Sequence, residues 1–130
     1  MFCIRNRPPG GLSRPTRAGI LVRSKTEAQI ADSLLDHHVP FHYEQVRHSY
    51  GISVAPDFTM LNPNDHSQII LWEHFGRMDK PSYIKNNLFK FDFYLSQGFV
   101  VGKNLIVTFE SEGSPLDINY IDYLVTSYFL

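Results

Sequence analysis

The chain has 130 residues, with 12 Lys and Arg against 13 Asp and Glu, a hydrophobic share of 43%, and 10 Phe, 7 Tyr and 1 Trp. That length suits one domain with a true core, the apolar content excludes a wholly disordered chain, and no apolar run approaches the ~20 residues of a membrane helix. A single cysteine, Cys3, excludes an internal disulfide framework and a multi-cysteine zinc site, which directs the expectation to a reducing, cytoplasmic compartment.

The near-zero net charge hides an asymmetry. Arg5, Arg7, Arg14, Arg17, Arg23 and Lys25 all precede the first acid, Glu27, in a stretch that also carries Pro8, Pro9, Pro15, Gly10, Gly11 and Gly19. Proline, glycine and arginine without apolar periodicity predict a flexible basic tail over residues 1–21, followed by a single domain over 22–130. Such a tail is either an arm adding sequence-independent phosphate contacts or a linker remnant.

Ser24-Lys25-Thr26-Glu27 has the form of a capping box, and Ile30, Ala31, Leu34 and Leu35 follow at helical spacing, which predicts a helix over 24–38. Pro40 ends it. Residues 41–46 alternate as a strand, Tyr50-Gly51 marks a turn, and 54–61 form a second strand. The polar run 62–67 is a hairpin loop, and Gln68-Ile69-Ile70-Leu71-Trp72-Glu73, apolar on both faces, is a buried central strand that Gly76 closes. Pro81 opens a helix over 80–97 whose apolar stripe is Ile84, Leu88, Phe91 and Leu95, with Gly98 as its C-terminal cap. Residues 105–109 form a fourth strand, and Ser114-Pro115 opens a last helix with Leu116, Ile121, Leu124, Val125 and Tyr128 on one side. The order αβββαβα predicts an α/β domain, a mixed sheet with helices on its faces.

Two acids stand out: Asp57 in Ala55-Pro56-Asp57-Phe58 and Glu73 in Leu71-Trp72-Glu73-His74-Phe75-Gly76. If strands 54–61 and 68–75 pair across the 62–67 loop, Asp57 falls opposite Trp72 or Glu73. Two carboxylates opposed on a half-buried surface repel one another, and a divalent cation removes that repulsion. Carboxylate and carbonyl oxygens are the donors that Mg²⁺ or Mn²⁺ prefers, and the His74 carbonyl comes next in the chain. Glu27 shares a helix face with Ala31 and Leu34 and so points to the sheet, although it is also the fourth member of the capping box. Lys90 and Tyr94, four apart, share a face of the helix after the motif strand, either as functional groups or as a snorkelling lysine beside a packed tyrosine. His37, His38, His42, His48 and His66 show no metal-ligand spacing. There is no P-loop, no G-x-G-x-x-G and no G-x-S-x-G.

Pro56-Asp57-Phe58 followed by Trp72-Glu73-His74-Phe75-Gly76 resembles the PD-(D/E)xK nuclease superfamily, with its restriction-endonuclease-like fold, and within it the PDF…EHFG branch found beside helicase-IV-like helicases. The resemblance covers roughly residues 22–110. It implies a Mg²⁺- or Mn²⁺-dependent nuclease acting on DNA or RNA, with Asp57, Glu73, the His74 carbonyl and Glu27 around the metal. Lys90 and Tyr94 look like the QxxxY element of exonuclease-like members, with lysine in place of glutamine. Partners would be nucleic acid, a helicase or a larger DNA-processing assembly, and a second copy of the chain, since dimers are common in this fold. One position departs: the motif lysine is Phe75 here. Either another lysine substitutes, Lys90 first and Lys85 second, or the domain binds nucleic acid without cutting it; a piece of a larger helicase-associated protein is a third reading.

Overall fold

The computed structural model describes residues 2–4 and 11–130. It is a mixed α/β structure with three helices, and no helix among the described residues is long and apolar enough to cross a membrane. The main sheet has four strands in the order β4 (Phe41–Tyr43), β7 (Phe58–Asn62), β8 (Asp65–Phe75) and β9 (Leu105–Phe109). β4, β7 and β8 pair antiparallel, and β8 and β9 pair parallel. The parallel pair requires a crossover, supplied by α2 (Pro81–Ser96) on one face. On the other face α1 (Lys25–Asp36) and α3 (Ile118–Phe129) pack together.

From α1 onward the predicted element order survives with one insertion. Between β4 and β7 the chain makes a small hairpin, β5 (Arg47–Ser49) with β6 (Ile52–Val54), which β1 (Phe2–Ile4) extends in parallel. The strand expected over 41–46 stops at Tyr43 because Glu44 turns into the left-handed region at φ 54°. The strand expected over 54–61 divides around Ala55-Pro56-Asp57, where proline offers no ladder N–H. The loop expected over 62–67 shrinks, and Asn62 already pairs with Asp65. The last helix starts later than Ser114-Pro115 suggested, with the Asp117 carboxylate accepting the Asn119 N–H at 2.8 Å.

Ser24 caps α1 as expected. Its Oγ accepts the Glu27 N–H at 3.2 Å and donates to Glu27 Oε2 at 2.7 Å. Both long helix ends are closed by the same hydrogen-bond pattern. After α2, the Phe99 N–H reaches the Tyr94 carbonyl and the Gly98 N–H the Leu95 carbonyl, with Gly98 at φ 87°; after α1, Val39 and His38 repeat this with His38 at φ 58°.

The flexible tail is corrected over its described part. β2 (Arg14–Pro15) pairs with β3 (Leu21–Val22), and Gly19 at φ 84° serves the turn between them. Arg17 grips the Asp36 carboxylate with two N–H groups at 2.6 and 2.9 Å, while its backbone N–H reaches Asp32. Arg23 pairs with Glu44 at 2.7 Å, both largely buried. Arg17 and Arg23 therefore neutralise acids of their own domain, which removes them from any phosphate-binding arm. Met1 and residues 5–10 of that expected tail lie outside the described residues.

Candidate active site

The register places the two motif acids side by side. Phe58 pairs with Trp72, so the ladder carried one step further sets Asp57 against Glu73. The pair is interlocked: the Asp57 N–H donates to Glu73 Oε2 at 2.9 Å, and the His74 N–H donates to Asp57 Oδ2 at 2.7 Å. Asp57 is 2% exposed and Glu73 fully buried.

Burial of two carboxylates demands compensation, and α2 brings it. Lys90 Nζ contacts Glu73 Oε1, and the Tyr94 hydroxyl donates to the same oxygen at 3.1 Å. Four of the expected site residues, Asp57, Glu73, Lys90 and Tyr94, thus meet between β7, β8 and α2. Phe75, where the resemblance would have a lysine, is buried, and the ammonium beside Glu73 comes from α2 instead. Lys85, the second candidate, is exposed on the outer side of the same helix and does not enter.

This placement corrects the expected stripe of α2. The inward face is Asn87, Lys90, Phe93 and Tyr94, whereas Leu88 and Leu95 are 60% and 45% exposed. Hydrophobic periodicity pointed elsewhere because the ammonium and phenol that buried carboxylates need are scored as polar, although here they belong to the core.

Electrostatics follow from this packing. Burial first, and then the neighbouring Glu73 and Glu27 carboxylates, push the Asp57 carboxyl well above its ordinary range. For Lys90, burial opposes the charged form but Glu73 and Asp57 outweigh it, so its pKa is raised and the ammonium is retained. Burial, together with Glu73 and Asp57, holds Tyr94 well above its usual value, and it remains a neutral hydrogen-bond donor.

Glu27 approaches from α1. It is buried, accepts the Tyr43 hydroxyl at 2.8 Å on Oε1, and is raised by burial against the lowering effect of its Ser24 and Tyr43 hydrogen bonds. Capping and orientation toward the sheet therefore coexist in one side chain. His74, alternating to the face opposite Glu73, sets Nδ1 2.8 Å from Thr108 Oγ1 and Nε2 3.2 Å from Glu110 Oε1. Thr26 Oγ1 and the Leu116 N–H also bond the Glu110 carboxylate, and with the His74 contact as the main cause its pKa falls to about 2. Sequence reasoning missed Tyr43 and Glu110. Tyr43 ends a recognisable strand, but no spacing rule ties a strand-end tyrosine to a helix acid; Glu110 directly follows a recognisable strand.

A cleft of about 770 Å³ opens at the C-terminal ends of β8 and β9, lined among others by Glu27, His74, Arg77, Lys80, Tyr83 and Glu110. The first turns of α1 and α2 border it, and α2 carries Pro81 at its start with no side-chain cap, which leaves N–H groups directed toward negative charge. Asp57 and Glu73 lie behind this cleft without lining it. Among the described residues no three His, Cys, Asp or Glu side chains converge as a ready-made metal cage. Comparison of the chain with protein-family models, with curated proteins and with solved structures finds no match.

Proposed function

We propose that the chain is a metal-dependent phosphodiesterase acting on DNA, of the PD-(D/E)xK type on a restriction-endonuclease-like core, in which Lys90 takes the part of the missing motif lysine. The observation that supports it is the meeting of Lys90 with Glu73, directly beside Asp57, at the junction of β7, β8 and α2. Two adjacent carboxyl groups with a single ammonium beside them offer hard oxygen donors of the kind Mg²⁺ or Mn²⁺ takes. Asp57 and Glu73 would hold the ion, with the His74 carbonyl and Glu27 as further oxygen donors. When bound, it supplies Lewis acidity toward water and phosphate.

The chain's own groups then have distinct tasks. Lys90 keeps its proton and so acts as a fixed positive charge and donor toward a phosphate oxygen, in the manner of a preorganised electrostatic group, rather than as a base. Tyr94 fixes the orientation of the Glu73 carboxylate through its hydroxyl. The helix N-termini at the cleft favour the approach of an anionic backbone. Nothing in these groups reads base edges, so cutting is expected to be sequence-independent.

The test is a cleavage assay on linear, nicked and supercoiled DNA, on single strands and on RNA with Mg²⁺ or Mn²⁺. Metal-dependent cutting by the native chain, lost in Asp57→Asn and Glu73→Gln, is the expected result. Metal-assisted binding to DNA with every substrate left intact would replace the nuclease reading by that of a binding module.

A further inference from the structure

The outward side of α2 bears a pattern that the site does not use. Ile84, Leu88, Phe91 and Leu95 recur at alternating spacings of four and three, the seam of a coiled-coil helix pair, over ~17 Å of helix. Leu88 and Leu95 are 60% and 45% exposed, and Ile84 and Phe91 half-buried. Phe91 packs edge-on against the buried Phe75, whose ring also touches Phe109 on β9, itself 55% exposed. Apolar side chains set in register along one helix flank mark a docking surface rather than scattered exposure.

We propose that this flank is a homodimer interface, α2 of one copy packing antiparallel against α2 of a second. The occupant follows from charge and symmetry. In an antiparallel pair related by a two-fold axis, Ile84 stacks on Leu95 of the second copy and Leu88 on its Phe91, so the seam matches itself as an isologous interface must. Lys85 and Asp92, both exposed and both one residue after a seam position, then flank the same two layers from opposite copies. Each dimer therefore gains two equivalent Lys85–Asp92 pairs. A parallel pair would instead set Lys85 and Asp92 toward Asn87 and Tyr94, which are buried within their own copy.

Sedimentation equilibrium of the full chain over a concentration series tests this. The native chain is expected to show a reversible monomer–dimer equilibrium, and Leu88→Glu, at an exposed position, should abolish it while circular dichroism stays unchanged. Lys85→Glu and Asp92→Lys should each weaken self-association by about tenfold, because both pairs become repulsive. An equimolar mixture of those two variants should regain native affinity as a heterodimer, since both pairs are then attractive. A native chain that stays monomeric throughout, a dimer indifferent to Leu88→Glu, or a mixture that fails to recover would overturn the proposal; a monomer that captures a different helical protein through this stripe would do the same.

Discussion

Beneath α1 and α3 the sheet presents Phe58, Met60, Ile70, Trp72 and Ile106 to Ile30, Leu34, Ile121, Leu124 and Val125, an apolar cluster that gives way to the buried Glu27 and His74 at the cleft. On the opposite face α2 meets Leu71 and Leu105, but it also covers Glu73 with Asp57 beside it, and it inserts Lys90 and Tyr94 between them. The first face stabilises the domain in the ordinary way, through removal of carbon surface from water. The second accepts two neighbouring buried carboxylates against a single ammonium, an arrangement that costs stability and that a sheet selected only for folding would replace with apolar groups. The polar cluster beneath α2 is thus the costly face of the sheet, which is why the proposed function is placed there.

The contrast can be broken from the charged face first. Lys90→Met keeps the volume but leaves Glu73 buried without its cation, and should cost about 3–5 kcal/mol in urea unfolding. On the apolar face, Leu34→Ala should cost about 2–5 kcal/mol, according to how far the surroundings close over the cavity. Mn²⁺ is expected to raise the midpoint of the Lys90 variant by more than that of Leu34→Ala, because loss of the ammonium leaves Glu73 Oε1 without its cation and the site more negative.

A smaller effect lies at the cleft. Glu110 has its carboxyl lowered to about 2 from an ordinary 4.5, mainly through its contact with His74. A depressed acid contributes stability above its unfolded pKa and loses it as pH falls through the folded one. The difference in unfolding midpoint between the native chain and Glu110→Gln should therefore be full above pH 4.5 and shrink toward pH 2. A gap that widens on acidification would mean that the carboxylate is not held by these donors. Smallest of all is the end of α1, where His38 occupies the left-handed position that Gly98 fills after α2. His38→Gly should stabilise the domain by about 1 kcal/mol, read as a raised midpoint with unchanged slope.

Local rules in the sequence account for much of this. The capping box at Ser24, the hairpin joining β7 to β8, the long apolar strand to Phe75 and the glycine cap at 98 each rest on local rules, and each held. The hairpin narrows Asp57 to a place opposite Trp72 or Glu73, and the observed register, with Phe58 on Trp72, decides for Glu73. What escaped was set by contacts distant in sequence. The inward face of α2 could not be read from periodicity, because Lys90 enters the core only in answer to Glu73. Residues 14–19 carry no apolar pattern, and the hairpin they begin is held by Arg17 on Asp36 and Arg23 on Glu44, neither of which composition reveals. Glu110 joined His74 through the parallel β8–β9 pairing, a long-range match that no spacing encodes.

On the proposed reading, Asp57 and Glu73 form a cation site whose buried acids oppose folding until a cation binds. Its most direct test is thermal melting of the native chain and of Asp57→Asn at pH 8, each with and without Mn²⁺. Because burial and Glu73 hold the Asp57 carboxyl well above its usual range, ionising it at that pH opposes folding, so the metal-free variant should melt at or above the native chain. The native chain alone should gain several degrees from Mn²⁺, as binding to the folded state requires. Equal Mn²⁺ shifts in both proteins, or a variant that melts well below the native chain and gains nothing, would contradict the account.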